Sequence, residues 1–428
     1  MTQPRPPAPA PAGPAPGVRV TDVDVEDVDE LTRWALVPAT GFMEPRPSAE
    51  DVAKRQRRVR GHRLLGGVVG GRLVGSLRSF DTELTLPGAR VVPANAVSSV
   101  AVLPTHRRRG VLTSMMRTDL ARARERGQAL AVLIASEAPI YGRYGFGAAT
   151  EEATWTLDTT SSRLREDAPA DAGTVELVEA AAVRAQLQAV HDGARRARAG
   201  GLRREERWWD LVLDPGAVSG AWDARTRTVL RRGPDGTPDG YCTYTTTESS
   251  RGRVSTAQLR VDDLTATTPQ ALRALWELVA SVDLVRTVRA AHRPVDEVLP
   301  WLLRDPRAAQ RTGQDDFLWV RVLDTAAALG ARGYDAPGRL VLRVHDEGGP
   351  AAGTVLLDAG ADGVEVTRTD AEPDVELAAD ALGSLLLGGV DAALLARAGR
   401  LRARDGAAVP SAAALFRGAE VPWCATEF

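Results

Sequence analysis

The sequence predicts a mixed α/β (α+β) protein that is built from three successive units. At 428 residues the chain is longer than one hydrophobic core usually supports, and typical domain sizes suggest about three units. Residues 96–147 show the order strand, basic turn, helix and strand, and residues 64–86 read as glycine-punctuated antiparallel strands. This mixture of periodicities favours a mixed sheet covered by helices.

The first predicted segment, residues 1–17, is rich in proline and alanine and lacks an apolar stretch. We therefore expect an extended, disordered tail rather than a signal peptide, and a cytoplasmic protein. The three folded units are expected at residues 18–158, 174–317 and 318–428, with a polar linker between the first two. No stretch approaches the roughly 20 apolar residues of a membrane span, so none is predicted.

In the first unit, a strand is expected at 18–20, a helix at 26–37 and antiparallel strands at 64–86. A β-branched run ends at Pro104, apolar residues recur at helical spacing after Gly110, and a second apolar strand follows at 129–135. Residues 155–157 are expected to end this unit.

The second unit repeats the theme, with a strand at 259–264, a helix at 269–282 and a strand at 284–288. No arginine–glycine turn joins this first strand to its helix, so we expect a degenerate second copy. Trp208 and Trp209 could form a nucleobase platform, but a helix that buries one tryptophan is the favoured interpretation. In the third unit we expect strands at 319–322, 339–344 and 353–357 and helices at 325–330, 379–387 and 391–401.

Composition excludes several classes of function. The net charge of −2 gives no bulk field towards nucleic acid or anionic lipid, so neither partner is predicted. The two cysteines, Cys242 and Cys424, make neither a disulfide framework nor a metal motif, and the five histidines are scattered. No protein-bound metal is expected.

The basic turn Arg107-Arg108-Arg109-Gly110 predicts an anion site. A helix that begins just after it presents free backbone N–H groups and the positive end of its dipole, and arginines add charge-assisted contacts to phosphate oxygens. Neither G-x-x-x-x-G-K-[ST] nor G-x-G-x-x-G is present. The alternative is a solvated arginine run that caps a helix.

The end of the chain, from Val421 to Phe428, is unusual because it is apolar and aromatic to its last residue. Burial of Trp423 and Phe428 would carry the terminal carboxylate into the protein, where it must be hydrogen-bonded, paired or opposed by a cation. The alternative is a terminus that only fills an apolar groove.

The pattern Arg107-x-x-Gly110-x-Leu112 resembles the pyrophosphate-binding turn of the GCN5-related N-acetyltransferase (GNAT) superfamily. The longer strings at residues 100–110 (VAVLPTHRRRG) and 135–147 (ASEAPIYGRYGFG), with the ending Glu427-Phe428, resemble the enhanced-intracellular-survival (Eis) family of that superfamily. The resemblance implies a GNAT domain, a degenerate GNAT-like domain, a sterol-carrier-like C-terminal domain and a homohexamer. It also implies an acetyl-CoA-dependent N-acetyltransferase that acts on small-molecule or peptide amines, such as aminoglycosides or lysine side chains.

The resemblance further implies the site residues. Tyr141 would be the general acid, the terminal carboxylate of Phe428 the base, and Glu427 a substrate-binding residue. Acetyl-CoA would contact Val100, Ala101, Val102, Arg108, Arg109, Gly110, Val111, Leu112, Thr113, Ser136 and Glu137. A core position is the alternative for Tyr141.

The implied chemistry is direct attack of an amine on a thioester. The amine must first lose a proton, and burial beside aromatic side chains makes a carboxylate a better base for this step. The oxyanion needs a backbone donor, expected near residues 100–102, and the leaving thiolate accepts a proton from Tyr141.

An acidic acceptor pocket is expected, with Glu427, Glu44, Asp81 and Glu83 as candidates, although such residues are more often solvated surface carboxylates. A rival function is a lipid carrier or regulatory binding protein with a vestigial acetyltransferase core.

Overall fold

The computed structural model describes residues 17–167, 172–213, 226–360 and 363–428 of the chain. The predicted disordered tail, except Gly17, and Pro169 of the predicted linker lie outside these residues. The strands are β1 (Val18–Asp22), β2 (Arg63–Val69), β3 (Arg72–Leu86), β4 (Arg90–Val102), β5 (Leu130–Ile134), β6 (Phe146–Ala148), β7 (Glu151–Asp158), β8 (Thr174–Val178), β9 (Arg227–Arg232), β10 (Pro238–Thr247), β11 (Ser250–Arg251), β12 (Val254–Ser255), β13 (Ala257–Ala266), β14 (Val285–Arg293), β15 (Ala309–Asp316), β16 (Leu318–Val322), β17 (Gly338–His345), β18 (Gly353–Gly360), β19 (Gly363–Arg368), β20 (Val375–Ala378) and β21 (Leu401–Ala403). The helices are α1 (Val28–Gly41), α2 (Ala49–Val59), α3 (Val111–Glu125), α4 (Ala138–Tyr141), α5 (Arg184–Ala197), α6 (Glu206–Leu213), α7 (Pro269–Ser281), α8 (Leu299–Leu302), α9 (Thr325–Ala331), α10 (Ala379–Leu386), α11 (Ala392–Arg397) and α12 (Ala408–Phe416).

The first sheet has seven strands in the order β1-β2-β3-β4-β5-β16-β6. Its neighbours pair antiparallel except β4 and β5, which are the two strands joined through α3. The predicted antiparallel strands and the strand–turn–helix–strand segment are therefore present in one mixed sheet.

Two strands cross the boundaries that the sequence suggested. Strand β16, expected to begin the third unit, lies inside the first sheet between β5 and β6, and strand β7, expected to end the first unit, belongs to the second sheet. All five residues of β16 are buried, as in a central strand covered on both faces. The sequence therefore marks β16 as a buried strand but does not say which sheet contains it.

Helix α3 packs unusually close to the first sheet because two glycines face it. A Cβ atom at Gly67 would lie 2.4 Å from Val111 Cγ1, and one at Gly75 would lie 2.6 Å from the same atom. Any larger residue would push the helix away. The glycines that punctuate β2 and β3 in the sequence thus fix the position of the helix that carries the basic turn.

Strands β4 and β5 separate halfway along their length. They pair in parallel only from Ala94 to Val97, against Leu130 to Leu133. Beyond this point β4 carries a bulge against β3, in which Ser99 has a φ of +51°. The two strands therefore diverge and leave an opening in the sheet beside Ser98, Ser99 and Val100.

The second sheet has the order β15-β7-β14-β13-β10-β9-β8. The predicted repeat is present as β13, α7 and β14, and the two strands again pair in parallel. In α6 Trp209 is buried and Trp208 is half-buried, which agrees with a helix that buries one tryptophan.

The third sheet has the order β19-β18-β17-β20-β21. Helices α10 and α12 cover it, and its apolar side chains join those of β5 and β16 in one continuous core. The helix expected at 391–401 is shorter, ending at Arg397 before β21. In the described part of the chain, no helix is long and apolar enough to cross a membrane.

Candidate active site

The basic turn forms an exposed cradle at the start of α3. Arg107, Arg108 and Arg109 are exposed, and no carboxylate lies within 4.0 Å of any of them among the described residues. Gly110 adopts a left-handed conformation (φ +77°) as the N-cap of α3, and Arg108 is also left-handed (φ +60°). The turn bends sharply enough to open the helix end to solvent.

The first N–H groups of α3 have no acceptor within the helix. The first intrahelical bond runs from the Ser114 N–H to the Gly110 carbonyl (2.9 Å), and Gly110 offers no side-chain cap. The N–H groups of Val111, Leu112 and Thr113 are therefore available, next to three unpaired guanidinium groups. This donor set fits a diphosphate, so Arg108 to Thr113 could hold the pyrophosphate of acetyl-CoA.

The opening between β4 and β5 adjoins this cradle. Val100 and Ser136 line the cleft at the opening, Ala101 and Val102 pair with β3 on one side and have no partner in β5 on the other, and Glu137 is the exposed N-cap of α4. An extended chain such as pantetheine fits beside such an unpaired strand edge.

Tyr141 ends the short helix α4 and faces the same opening. Its side chain is buried, its ring meets that of Phe146 edge-on with centroids 6.3 Å apart, and its hydroxyl has no hydrogen-bond partner among the described residues. Burial, helped by the nearby Glu137, raises the pKa of Tyr141 to about 12. The phenol is therefore protonated at neutral pH and has a proton to donate.

The C-terminal segment runs between the first two domains and is held by a buried arginine. Arg204 donates to the Ala425 carbonyl (2.8 Å) and to Thr426 Oγ1 (3.3 Å). The same guanidinium pairs with Asp263 at 2.6 Å, and Trp208 Nε1 donates to the Glu427 carbonyl at 3.2 Å. A buried guanidinium must have its charge paired and its N–H groups hydrogen-bonded. For Arg204, oxygens of the C-terminal segment accept some of these hydrogen bonds.

The last residue reaches the first sheet. Ser98 Oγ, on the diverging part of β4, donates to a terminal oxygen of Phe428 at 3.1 Å, and the Phe428 ring meets Phe80 edge-on at 5.6 Å. Glu427 is exposed. Trp423 and Phe428 are both half-buried, so the aromatic chain end packs against the protein without being fully buried.

A single cleft of about 750 Å³ brings these groups together. Val100, Ser136, Tyr141, Glu427 and Phe428 all line it, with α1 and α2 forming the opposite wall. Residues 108–113 do not line this cleft. The cleft therefore joins a protonated phenol and a carboxylate at the opening in the sheet.

The cleft has mixed charge. Glu44, Asp51 and Glu427 line it together with the terminal residue Phe428, and Lys54, Arg55, Arg58 and Arg78 line it as well. Asp81 and Glu83 lie outside it, because Asp81 pairs with Arg63 at 2.8 Å and Glu83 with Arg195 at 2.7 Å. Both of these carboxylates contribute to ion pairs within the fold.

Sequence reasoning missed Ser98, Arg78 and Arg204. Ser98 and Phe428 are 330 positions apart, and no local pattern links them. Arg204 stands beside the tryptophan pair that the sequence did highlight, and its guanidinium lies 3.9 Å from the Trp208 ring centre. An arginine close to two tryptophans is visible in the sequence. That pattern indicates side-chain packing, and it does not indicate a contact with the C-terminal segment.

Comparison with known proteins agrees with this architecture. Family models for an acetyltransferase (GNAT) domain match residues 26–149 and again residues 200–322, and a sterol carrier protein domain matches residues 325–425. The fold and its matches therefore define a GNAT N-acetyltransferase with a sterol-carrier-like C-terminal domain.

The relatives narrow this class further. An uncharacterized N-acetyltransferase of Streptomyces avermitilis is 40% identical over 405 residues, covering 93% of this chain and 96% of its own. The N-acetyltransferase Eis of Mycobacterium tuberculosis is 36% identical over 346 residues, covering 79% of this chain and 82% of its own. The crystal structure of Eis1 from Mycobacterium abscessus superposes with a TM-score of 0.83 at 33% identity, covering 96% of this chain and all of that one. The chain belongs to the Eis family of N-acetyltransferases.

Proposed function

We propose that this protein transfers the acetyl group of acetyl-CoA to the amine of a small molecule or peptide within the 750 Å³ cleft. One observation carries the proposal. Tyr141 and Phe428, which carry the proposed acid and base, line one cavity at the opening between β4 and β5.

In this proposal Arg108, Arg109 and Gly110 to Thr113 hold the pyrophosphate, and the edge of Val100 to Val102 receives the pantetheine arm. The free N–H groups at the start of α3 and the unpaired strand edge support this assignment. Acetyl-CoA is the acetyl donor that the GNAT class implies, and it would supply the thioester.

The two ends of the proton path would be this chain's own groups. The carboxylate of Phe428 would take a proton from the acceptor ammonium, the amine nitrogen would bond to the acetyl carbon, and the carbon–sulphur bond would break. Tyr141 would give its proton to the sulphur, and its raised pKa supports this role as an acid. The second proton of the nitrogen would pass to the Tyr141 phenolate, which leaves a neutral amide and a free thiol. Ser98, which donates to the Phe428 carboxylate, would hold the base in place.

Primary amines are the acceptors to test, with aminoglycosides and lysine side chains as the family-based candidates. Thiol release from acetyl-CoA, followed with a chromogenic thiol reagent, should depend on the amine and yield the N-acetylated product by mass spectrometry. The matched control is the same amine already acetylated. Absence of amine-dependent thiol release across the panel would contradict the proposal.

A homohexamer is proposed only on the family resemblance. Light scattering coupled to size-exclusion chromatography should give about six times the chain mass of 45.6 kDa. A monomeric or dimeric mass would contradict it.

A further inference from the structure

We propose that the acceptor is an amine that also carries an anionic group, a carboxylate or a phosphate, and that Arg58 and Arg78 bind this group. The inference rests on the proposed acetyl transfer, because it concerns the acceptor side of the same cleft. It replaces the acidic pocket expected from the sequence with a site of mixed charge.

Arg78 is a buried guanidinium that forms no ion pair with the residues that the structure describes. Its side chain lines the cleft, the residue is only 5% exposed, and Nη2 donates to Ser98 Oγ at 3.0 Å. Its Nε is buried and has no hydrogen-bond acceptor, and no carboxylate lies within 4.0 Å in the described ranges. A buried donor without a partner is costly, and an anionic ligand could satisfy it.

Arg58 approaches the same space from α2. It is exposed to the cleft, and among the residues that the structure describes no carboxylate lies within 4.0 Å of it. Desolvation in the cleft and the neighbouring Arg55 lower the pKa of Arg58, and the more distant carboxylates of Glu427 and Glu44 oppose this shift. Burial together with Arg58 lowers the pKa of Arg78 to about 9, and Glu205 opposes this shift. Both groups are still cationic at neutral pH, and both would gain from a nearby negative charge.

A small cavity beside the cleft provides room for that charge. It has a volume of about 50 Å³, and Arg58, Arg78 and Phe428 line both it and the larger cleft. Such a volume holds about three or four water-sized groups. The cavity's acidic residue, Glu205, already accepts a hydrogen bond from His62 at 2.9 Å.

The geometry sets the form of the acceptor. Ser98 Oγ contacts both Arg78 and a terminal oxygen of Phe428, so an amine at the carboxylate and an anion at Arg78 would occupy neighbouring positions. A short ω-amino acid or an aminoalkyl phosphate has this arrangement. A polycation without an anionic group would meet two unpaired guanidinium groups there.

If Arg78 has only a structural role, its substitution should affect all amines alike. Ser98 contacts both Arg78 and Phe428, so Arg78 could serve only to position the chain end. Substitution would then slow transfer to every amine by the same factor. Selective loss with anionic amines separates the two explanations.

The test compares pairs of amines that differ only in charge, 5-aminopentanoate with 5-aminopentanamide and 2-aminoethyl phosphate with 2-aminoethanol. We expect kcat/KM to be about tenfold higher for the anionic member of at least one pair, as one charge-assisted contact provides. The pair that shows the larger ratio identifies carboxylate or phosphate as the anion.

Arg58→Gln should reduce this ratio of kcat/KM values to about one, and Arg78→Lys should reduce it as well. Arg57→Gln, on the exposed face of the same helix, should keep the ratio of the unmodified protein.

Two outcomes overturn the inference while leaving acetyl transfer intact: equal kcat/KM for both members of both pairs, or a ratio that Arg58→Gln does not change. If no amine is acetylated, the proposed function fails, and calorimetric binding of 5-aminopentanoate and 2-aminoethyl phosphate then decides the inference. Binding that Arg58→Gln weakens about tenfold supports it, and the absence of such binding overturns it.

Discussion

The two GNAT-like domains share one framework and differ in the groups that occupy it. In both, a parallel pair of strands is joined through a helix, and the first strand carries a bulge, opposite Leu77 in the first domain and at Asp262 in the second. Both pairs of strands border a cleft, of about 750 Å³ in the first domain and about 570 Å³ in the second. In the second, Asp263 lines the cleft and pairs with Arg204, which holds the C-terminal segment.

The N-termini of α3 and α7 also differ between the two domains, in the backbone N–H groups that they leave free. Helix α3 follows Gly110 and has no side-chain cap, whereas in α7 the side chain of Thr268 accepts a hydrogen bond from the Ala271 N–H and Pro269 occupies the first turn. A capped helix end with a proline offers fewer free donors. The shared framework therefore does not determine which N–H groups stay free, and the residues just before and at the start of each helix do.

The short helix after the second strand completes the comparison. Both α4 and α8 have proline at their second position, but α4 ends on Tyr141 and α8 on Leu302. The second domain thus lacks a phenol at this position. Its remaining role in the site is to anchor the chain end that reaches the first domain.

Removal of the Tyr141 hydroxyl should have the largest effect. Tyr141→Phe makes the end of α4 as inert as the end of α8, and loss of a general acid lowers kcat by about 10²–10⁴-fold. Binding of CoA, measured by calorimetry, should persist because the cradle at residues 108–113 is untouched. Tyr334→Phe is the matched control, since that hydroxyl donates only to the Leu329 carbonyl in the third domain. An unchanged kcat in Tyr141→Phe would remove the residue from the mechanism.

Addition of residues after Phe428 should be nearly as damaging. A Gly-Ser-Gly extension converts the terminal carboxylate into a peptide carbonyl beside Ser98, so the base is lost and kcat should fall about 100-fold or more. The fold should persist, because Arg204 contacts residues 425 and 426 rather than the end itself. An extension of the same length before Met1 is the control. Full activity of the C-terminally extended protein would contradict the role of the carboxylate.

Local features of the first domain could be predicted from the sequence, and long-range pairings could not. Helical spacing after Gly110 identified α3, and the apolar run at residues 129–135 identified β5. Both could be predicted because each pattern lies within a short stretch of consecutive residues. The positions of β16 in the first sheet and β7 in the second depend on pairing between strands that are far apart in sequence. The sequence does not show which strands pair over such separations. Similarly, Arg78 lies within a strand whose alternation cannot reveal that its guanidinium is buried.

The two helix N-termini can be compared directly by substitution. Arg108→Gln combined with Arg109→Gln should raise the KM for acetyl-CoA about tenfold or more, because charge-assisted contacts to the pyrophosphate are lost. Thr268→Ala should instead lower the free energy of unfolding by about 1 kcal/mol, through loss of the cap on α7, and leave this KM unchanged. Steady-state kinetics and urea denaturation of both variants check the contrast. A KM effect of Thr268→Ala would mean that the second domain takes part in cofactor binding.

A last comparison concerns two histidines, the buried His191 and the half-buried His62. His191, in α5, donates from Nε2 to the Leu202 carbonyl at 3.2 Å, and burial, with the nearby Arg204, lowers its pKa to about 3. Burial also lowers the pKa of His62, but the hydrogen bond to Glu205 opposes this shift.

Below the unfolded-state pKa of about 6.5, the unfolded chain binds a proton that folded His191 does not. The free energy of unfolding should therefore fall as the pH falls, by at most about 1.4 kcal/mol per pH unit from this residue. His191→Gln should make the decline between pH 6.5 and 4.5 shallower, and His62→Gln should change it less, as measured by urea denaturation at several pH values. An equal change in both variants would mean that Glu205 does not offset the desolvation of His62, and an unchanged slope in His191→Gln would mean that His191 is not the group that titrates.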